Sequence, residues 1–202
     1  MSFAANAQDK TANQYENEGN EFVQAKKFQQ ALEAYDAAFA IKGDSLNPKT
    51  MFNAGLCAQK TGDFDKAISY FSKTEGLSYK AEESAYSIAQ SLRAQKKTDE
   101  YEQQLKASLE KYKNGKFPTL MKKDLTKNYR DQALKLYNEG SDISNKFAAN
   151  ANNKEKLDEL KAAAKEKFNE AIPYLQKALE VNPGDAATNQ VKGAVEKALS
   201  TL

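Results

Sequence analysis

The sequence has no histidine, no tryptophan, one cysteine (Cys57) and only four prolines in 202 residues. Without histidine there is no imidazole for acid–base chemistry, no Ser–His or Cys–His nucleophile pair and no histidine metal ligand. With one cysteine, no internal disulfide can form. Arginine is nearly missing too, at Arg93 and Arg130 only. Sequence-specific DNA readers rely on the arginine fork to guanine, so no specific nucleic-acid partner is expected. No apolar run approaches the roughly 20 residues of a membrane-spanning helix. No glycine-rich phosphate loop, calcium loop or paired-carboxylate motif appears. The chain is therefore expected not to be an enzyme and to need no cofactor or metal.

Valine is scarce, and Ala, Lys, Glu, Gln, Asn and Leu dominate. Most of these favour helix, so strands are not expected. Hydrophobic residues are 40% and charged residues 29%, a globular rather than a disordered mix. The net charge of +2 specifies no partner. At the N-terminus, Ala5-Asn6-Ala7 fits the small-x-small pattern of a signal-peptidase site, with Gln8 as the first mature residue. Residues 1–7 are thus read as a signal-peptide remnant, with an ordinary disordered start as the alternative. The remnant implies a bacterial periplasmic or secreted protein. No cysteine stands at the junction, which favours a soluble over a lipid-anchored form.

Small residues recur at Gly19, Gly55 and Ala89, spaced by 36 and 34 residues. Around the first lie Tyr15, Phe22, Phe28, Ala31, Tyr35 and Ala38. Around the second lie Met51, Ala58, Phe64, Ala67, Phe71 and Thr74. A looser third set is Ala85, Leu92, Thr98, Tyr101, Leu105 and Ser108. Each small residue would let one helix approach the next closely, and the large residues would fill the remaining gaps. Thr61-Gly62-Asp63-Phe64 reads as a turn between the helices of one pair. Asn47-Pro48 and Asn182-Pro183-Gly184-Asp185 read as turns between pairs.

These residues at this spacing resemble the tetratricopeptide repeat (TPR) family, whose period is 34. The resemblance implies an all-α, right-handed α-solenoid of antiparallel helix pairs. Three TPR-like repeats are expected over 11–115, after a start at 1–10. The segment 116–184 reads as an elongated fourth pair, and 185–202 as a capping helix beginning after the N-cap Asp185. In the fourth pair Gly140 is the candidate small residue, and Phe168, Ala171, Leu175 and Ala178 match a second helix. Gly140 to Phe168 spans 28 residues against 9 from Gly55 to Phe64, which implies an insertion of 19. Two long helices are expected, joined at Asn150-Ala151-Asn152-Asn153, each protruding by roughly 14 Å. Pro173 deletes one backbone hydrogen bond inside the second.

Members of this family commonly hold extended peptides or partner helices on a concave face lined by first helices. The resemblance transfers that face to Asn17, Asn20, Gln24, Phe52, Asn53, Leu56, Tyr86, Gln90 and Arg93, with Glu16 and Lys60 beside them. Asn20 and Asn53 stand where the family often bonds peptide backbone, since an amide side chain donates and accepts at once. Phe52, Leu56 and Tyr86 would add apolar contact. One subclass clamps chaperone C-terminal carboxylates with added cations. Here Glu16, Glu83 and Ser87 stand at those positions, so that clamp is rejected. The leading expectation is a non-catalytic interaction or scaffolding module for a protein or peptide. Two alternatives remain. One is a structural homo-oligomer or envelope-assembly component. The other is an anionic polymer or surface binder acting through segment 111–135, which holds eight basic and two acidic residues. Cys57 reads as a buried packing residue.

Overall fold

The computed structural model describes residues 10–202. The expected signal-peptide remnant, with Gln8, lies outside the described residues. Nine α-helices and two short 3-10 turns account for the described chain, which has no strand. Two compact units meet in sequence at Phe117 and Pro118.

The first unit holds three antiparallel pairs. These are α1 (Ala12–Gln24) with α2 (Phe28–Lys42), α3 (Pro48–Thr61) with α4 (Phe64–Gly76), and α5 (Ala81–Ala94) with α6 (Thr98–Lys111). Helix starts follow local chemistry. Thr11 and Gln14 form a reciprocal capping box at α1. Asn47 caps α3 with Pro48 in its first turn, and Asp63 caps α4. The turn inside each pair needs one left-handed residue. Gly62 supplies it at φ 83° in the second pair, and Lys26 and Lys96 adopt it at 56° and 60° in the first and third. All three stand seven residues after Gly55, Gly19 and Ala89 respectively.

The glycines explain the pairing. The Phe71 ring packs against Gly55, so a methyl on Gly55 would fall 2.8 Å from Phe71 Cε1. The Tyr35 ring covers Gly19 in the same way, more tightly. Both ring positions are fully buried, as are Ala31 and Ala67 one turn before them. In the third pair the small residue is Ala89, and the residue at the ring position is Leu105, both fully buried. A smaller partner leaves room for the extra methyl, so glycine accompanies a ring and alanine accompanies leucine. Cys57 is buried, as expected.

The second unit holds α7 (Pro118–Ser144), α8 (Lys154–Val181) and α9 (Ala186–Ser200). α7 and α8 run 27 and 28 residues, about twice the length of the earlier helices. The turn between them contains a 3-10 segment, Ala148–Asn150, and Asn153 caps α8. α8 continues through Pro173. Here the structure corrects the register. A methyl on Gly140 would fall 2.6 Å from Phe168 Cε1, so Phe168 covers Gly140 as Phe71 covers Gly55. Phe168 therefore corresponds to Phe71 rather than Phe64. The lengthening is 12 residues (28 against 16) instead of 19. The two alignments differ by seven residues, two helical turns, and α8 carries both. Ala164, Phe168 and Ala171 form one set, and Ala171, Leu175 and Ala178 the other, all buried. A pattern that repeats every two turns offers two equivalent registers, and only the facing residue on α7 selects between them.

Asp185 fastens the start of α9. Its Oδ2 accepts from the Thr188 hydroxyl at 2.5 Å, from the Thr188 N–H at 2.9 Å and from Arg130 of α7 at 2.8 Å. The Thr188 hydroxyl, with its N–H and Arg130 adding to it, holds this carboxyl below its ordinary range. A folded-state pKa below the unfolded value contributes stability that is complete above about pH 4–5 and is lost as pH falls through the folded value. Between pH 7 and 3, the thermal midpoint of Asp185→Asn is expected to fall less steeply than that of the native protein. Parallel curves would show that Asp185 contributes nothing to acid lability.

Candidate functional site

All nine expected partner-binding residues sit in the first unit on α1, α3 and α5, the first helix of each pair. They do not all face outward. Asn17, Asn20, Gln24 and Arg93 are exposed, and Asn53, Tyr86 and Gln90 are half-buried. Leu56 is 38% exposed, a large apolar side chain open to solvent. Phe52 corrects the expectation. It is 2% exposed and packs edge-on against Phe71 and Tyr79, with Lys80 Nζ lying 4.3 Å from its ring centre. A phenylalanine beside Gly55 contributes more inside the helix pair than on its rim, so it serves the core. Tyr86 packs its ring on Phe117 at 5.5 Å.

The structure ties Asn20 to Tyr35, a residue whose expected role is packing. The buried Tyr35 hydroxyl donates to Asn20 Oδ1 at 2.8 Å. Burial, with the neighbouring Cys57 and Glu16, pushes the Tyr35 phenol up to about 12, against the opposing bond from Asn53. The hydroxyl is therefore protonated and acts as a donor across the physiological range. Asn20 on α1 is thus fixed by a hydroxyl from α2. Its amide nitrogen remains outside this bond as a donor, and the half-buried Asn53 on α3 carries both a donor and an acceptor, so the two side chains can match a peptide unit. A clue was present in the sequence. Tyr35 stands where the second repeat has Phe71, and a buried tyrosine hydroxyl requires a partner.

Beside Asn53 lies a depression of about 160 Å3 lined by Val23, Phe28, Asn53, Leu56, Cys57 and Lys60. Its walls are mainly apolar, with Asn53 and Lys60 as its polar members. Burial raises the Cys57 thiol to about 11, so it lines the depression as a neutral group. The acids expected on this face are neutralised. Glu16 accepts from Thr50 at 2.6 Å and Lys42 at 2.9 Å. Burial opposes its charge, yet those bonds outweigh it and keep the carboxyl below its usual range. Glu83 pairs with Lys80 at 3.0 Å. No group of three or more metal-ligating side chains occurs among the described residues. No helix among them is long and apolar enough to cross a membrane.

Stacked antiparallel helix pairs, with a small residue on one helix covered by a large one on the other, define the class of helical-repeat interaction and scaffolding modules. Residues 17–81 match a tetratricopeptide repeat family model, and residues 162–185 match a second one. Residues 17–81 and 162–185 thus carry tetratricopeptide repeats. No curated protein matches it in sequence. Among solved structures it is similar to a TPR repeats protein from Bacteroides fragilis, with 21% identity and a TM-score of 0.55. That match covers 95% of this chain and 99% of the other. It is also similar to yeast Tom70, with 21% identity, a TM-score of 0.50, and coverage of 94% and 43%. A third likeness is to the C. elegans myosin chaperone UNC-45 in complex with an Hsp90 peptide. There the identity is 18%, the TM-score 0.50, and the coverage 94% and 23%.

Proposed function

We propose that the first unit docks an extended peptide segment of a partner protein along α1 and α3. The segment's backbone would lie across Asn20 and Asn53, and an apolar side chain would enter the depression beside Leu56. The observation that carries this reading is the bond from Tyr35 to Asn20, which fixes that amide before any partner arrives. Amides already held in place lose little freedom on binding. The UNC-45 neighbour binds an Hsp90 peptide, but the cations of a carboxylate clamp are missing here. The segment is therefore recognised by its backbone and an apolar side chain rather than by a terminal charge. The working setting we propose is outside the cytoplasm, on the strength of Ala5-Asn6-Ala7. The lysine-rich segment supports polymer binding less well. Lys111 pairs with Glu75, Lys113 with Glu110, Lys127 with Asp131, Arg130 with Asp185 and Lys135 with Glu139.

The test is quantitative capture from the source cell, comparing native protein with Tyr35→Phe and with Asn20→Ala/Asn53→Ala. Tyr35→Phe keeps the ring on Gly19 and removes only the hydroxyl. Releasing Asn20 from that bond should cost about 1 kcal/mol of docking, roughly a fivefold drop in affinity. The double alanine variant should capture nothing. Equal capture by all three proteins would overturn the reading.

A further inference from the structure

The two helices of the docking face carry different chemistry at matching positions. Gly19 and Gly55 are 36 residues apart, and the same spacing takes Asn13 to Lys49, Asn17 to Asn53, Asn20 to Leu56 and Gln24 to Lys60. Intervals of four, three and four residues keep each set on one face of its helix. The stripe on α1 is therefore four exposed amide side chains without charge. The stripe on α3 is a cation, an amide, an apolar side chain and a second cation. Its middle members, Asn53 and Leu56, line the depression together with Lys60, and both lysines are exposed.

The charge of this face resolves to positive. Glu16 is held by Lys42 at 2.9 Å and Glu83 by Lys80 at 3.0 Å, so neither acid is available to a neighbouring lysine. The second helix pair contains four lysines. The two on α4 reach acids that precede them in the chain, Lys66 to Asp36 at 2.7 Å and Lys73 to Asp44 at 2.5 Å. The two on α3 join no ion pair among the described residues. Two uncompensated cations thus bracket one amide and one exposed leucine on a single helical stripe.

We infer that the docked segment carries one apolar side chain with an Asp or Glu on each side of it, and that Lys49 and Lys60 select those acids. The inference rests on the peptide-docking reading above and assigns the labour within it. Amides on α1 bond backbone and are indifferent to sequence, whereas α3 reads side chains. Lys49 and Lys60 are 11 residues apart, about 16 Å along the helix, a distance that an extended chain covers in about five residues. Leu56 stands four residues from Lys60 and seven from Lys49. The acid facing Lys60 therefore lies about two residues from the apolar anchor, and the other about three residues away on the opposite side. A lysine ammonium is a compact charge that accepts a carboxylate in many orientations, so the spacing of the acids matters more than their exact pose. A single terminal carboxylate would answer only one of the two cations. Because both lysines are exposed, they contribute selectivity and encounter rate more than raw affinity.

The experiment selects a displayed library of random peptides on the full chain. Peptides retained by the native protein should carry an apolar residue flanked by Asp or Glu at about those two distances. The same selection on Lys49→Glu/Lys60→Glu should keep the apolar residue and exchange the acids for Lys or Arg. A peptide selected on the native protein should bind this variant at least tenfold more weakly, and should bind the native protein less well as salt is raised. The variant should keep the native melt, since neither lysine is buried. Apolar peptides without flanking acids, or the same acidic peptides from the charge-reversed variant, would overturn the inference and leave peptide docking standing. Equal retention by Asn20→Ala/Asn53→Ala, or no peptide retained by the native protein, would overturn peptide docking and this inference with it.

Discussion

Gly55→Ala is expected to destabilise the protein by about 1–3 kcal/mol, although alanine is the better helix former by about 1 kcal/mol. The added methyl would sit 2.8 Å from Phe71 Cε1, with two more ring carbons at 3.0 Å. The ring cannot step aside, since Phe71 is fully buried and held edge-on by Phe52 at 5.4 Å. The compensating change is present in the same chain, where Ala89 stands with Leu105 in place of a ring. Phe71→Leu alone should cost about 1 kcal/mol through lost burial. Gly55→Ala/Phe71→Leu should cost clearly less than the two single changes together. Chemical denaturation of the four proteins measures the coupling. Strict additivity would show that the ring and the glycine do not set the helix spacing.

Phe168→Ala should cost more, about 3–5 kcal/mol. Phe168 is 1% exposed and stands in a cluster with Ala133, Ala164, Ala171, Leu175 and Val195. It covers Gly140 and stacks on Tyr137 at 5.8 Å. Neither neighbour can fill the space. Gly140 has no side chain, and the surrounding alanines are too short to collapse into a cavity of phenyl size. Tyr137→Ala is the control, because Tyr137 is half-buried and its loss opens toward water. It should cost at most half as much. Near-equal losses in the denaturation midpoint would show that Phe168 is not the centre of this core.

Much of the fold was legible in the residue pattern. Gly19, Gly55 and Ala89 recur at nearly constant spacing with large residues at fixed offsets, and only helix pairs place those residues against one another. The caps Thr11, Asn47, Asp63, Asn153 and Asp185 mark helix starts by chemistry local to a few residues. The buried state of Cys57 and the long final hairpin also followed from pattern. The candidate site was less legible. Asn20, Asn53 and Leu56 could be listed by register, but a register does not state which way a ring turns. Phe52 was expected to meet a partner and instead packs against Phe71 and Tyr79.

By itself, then, the sequence determined the helix pairs, their caps and the small–large pairing that spaces them, because these depend on intrinsic propensity and short periodicity. Tertiary structure alone decided three further matters. It chose between two registers on α8, which differ by two turns and are equivalent until Gly140 faces one of them. It tied Asn20 to the buried Tyr35 hydroxyl, a contact between two helices with no local signature. It left Gly193 open while covering Gly19, Gly55 and Gly140. A glycine is the same residue in each helix, and only the presence of a ring opposite decides whether it is core or surface.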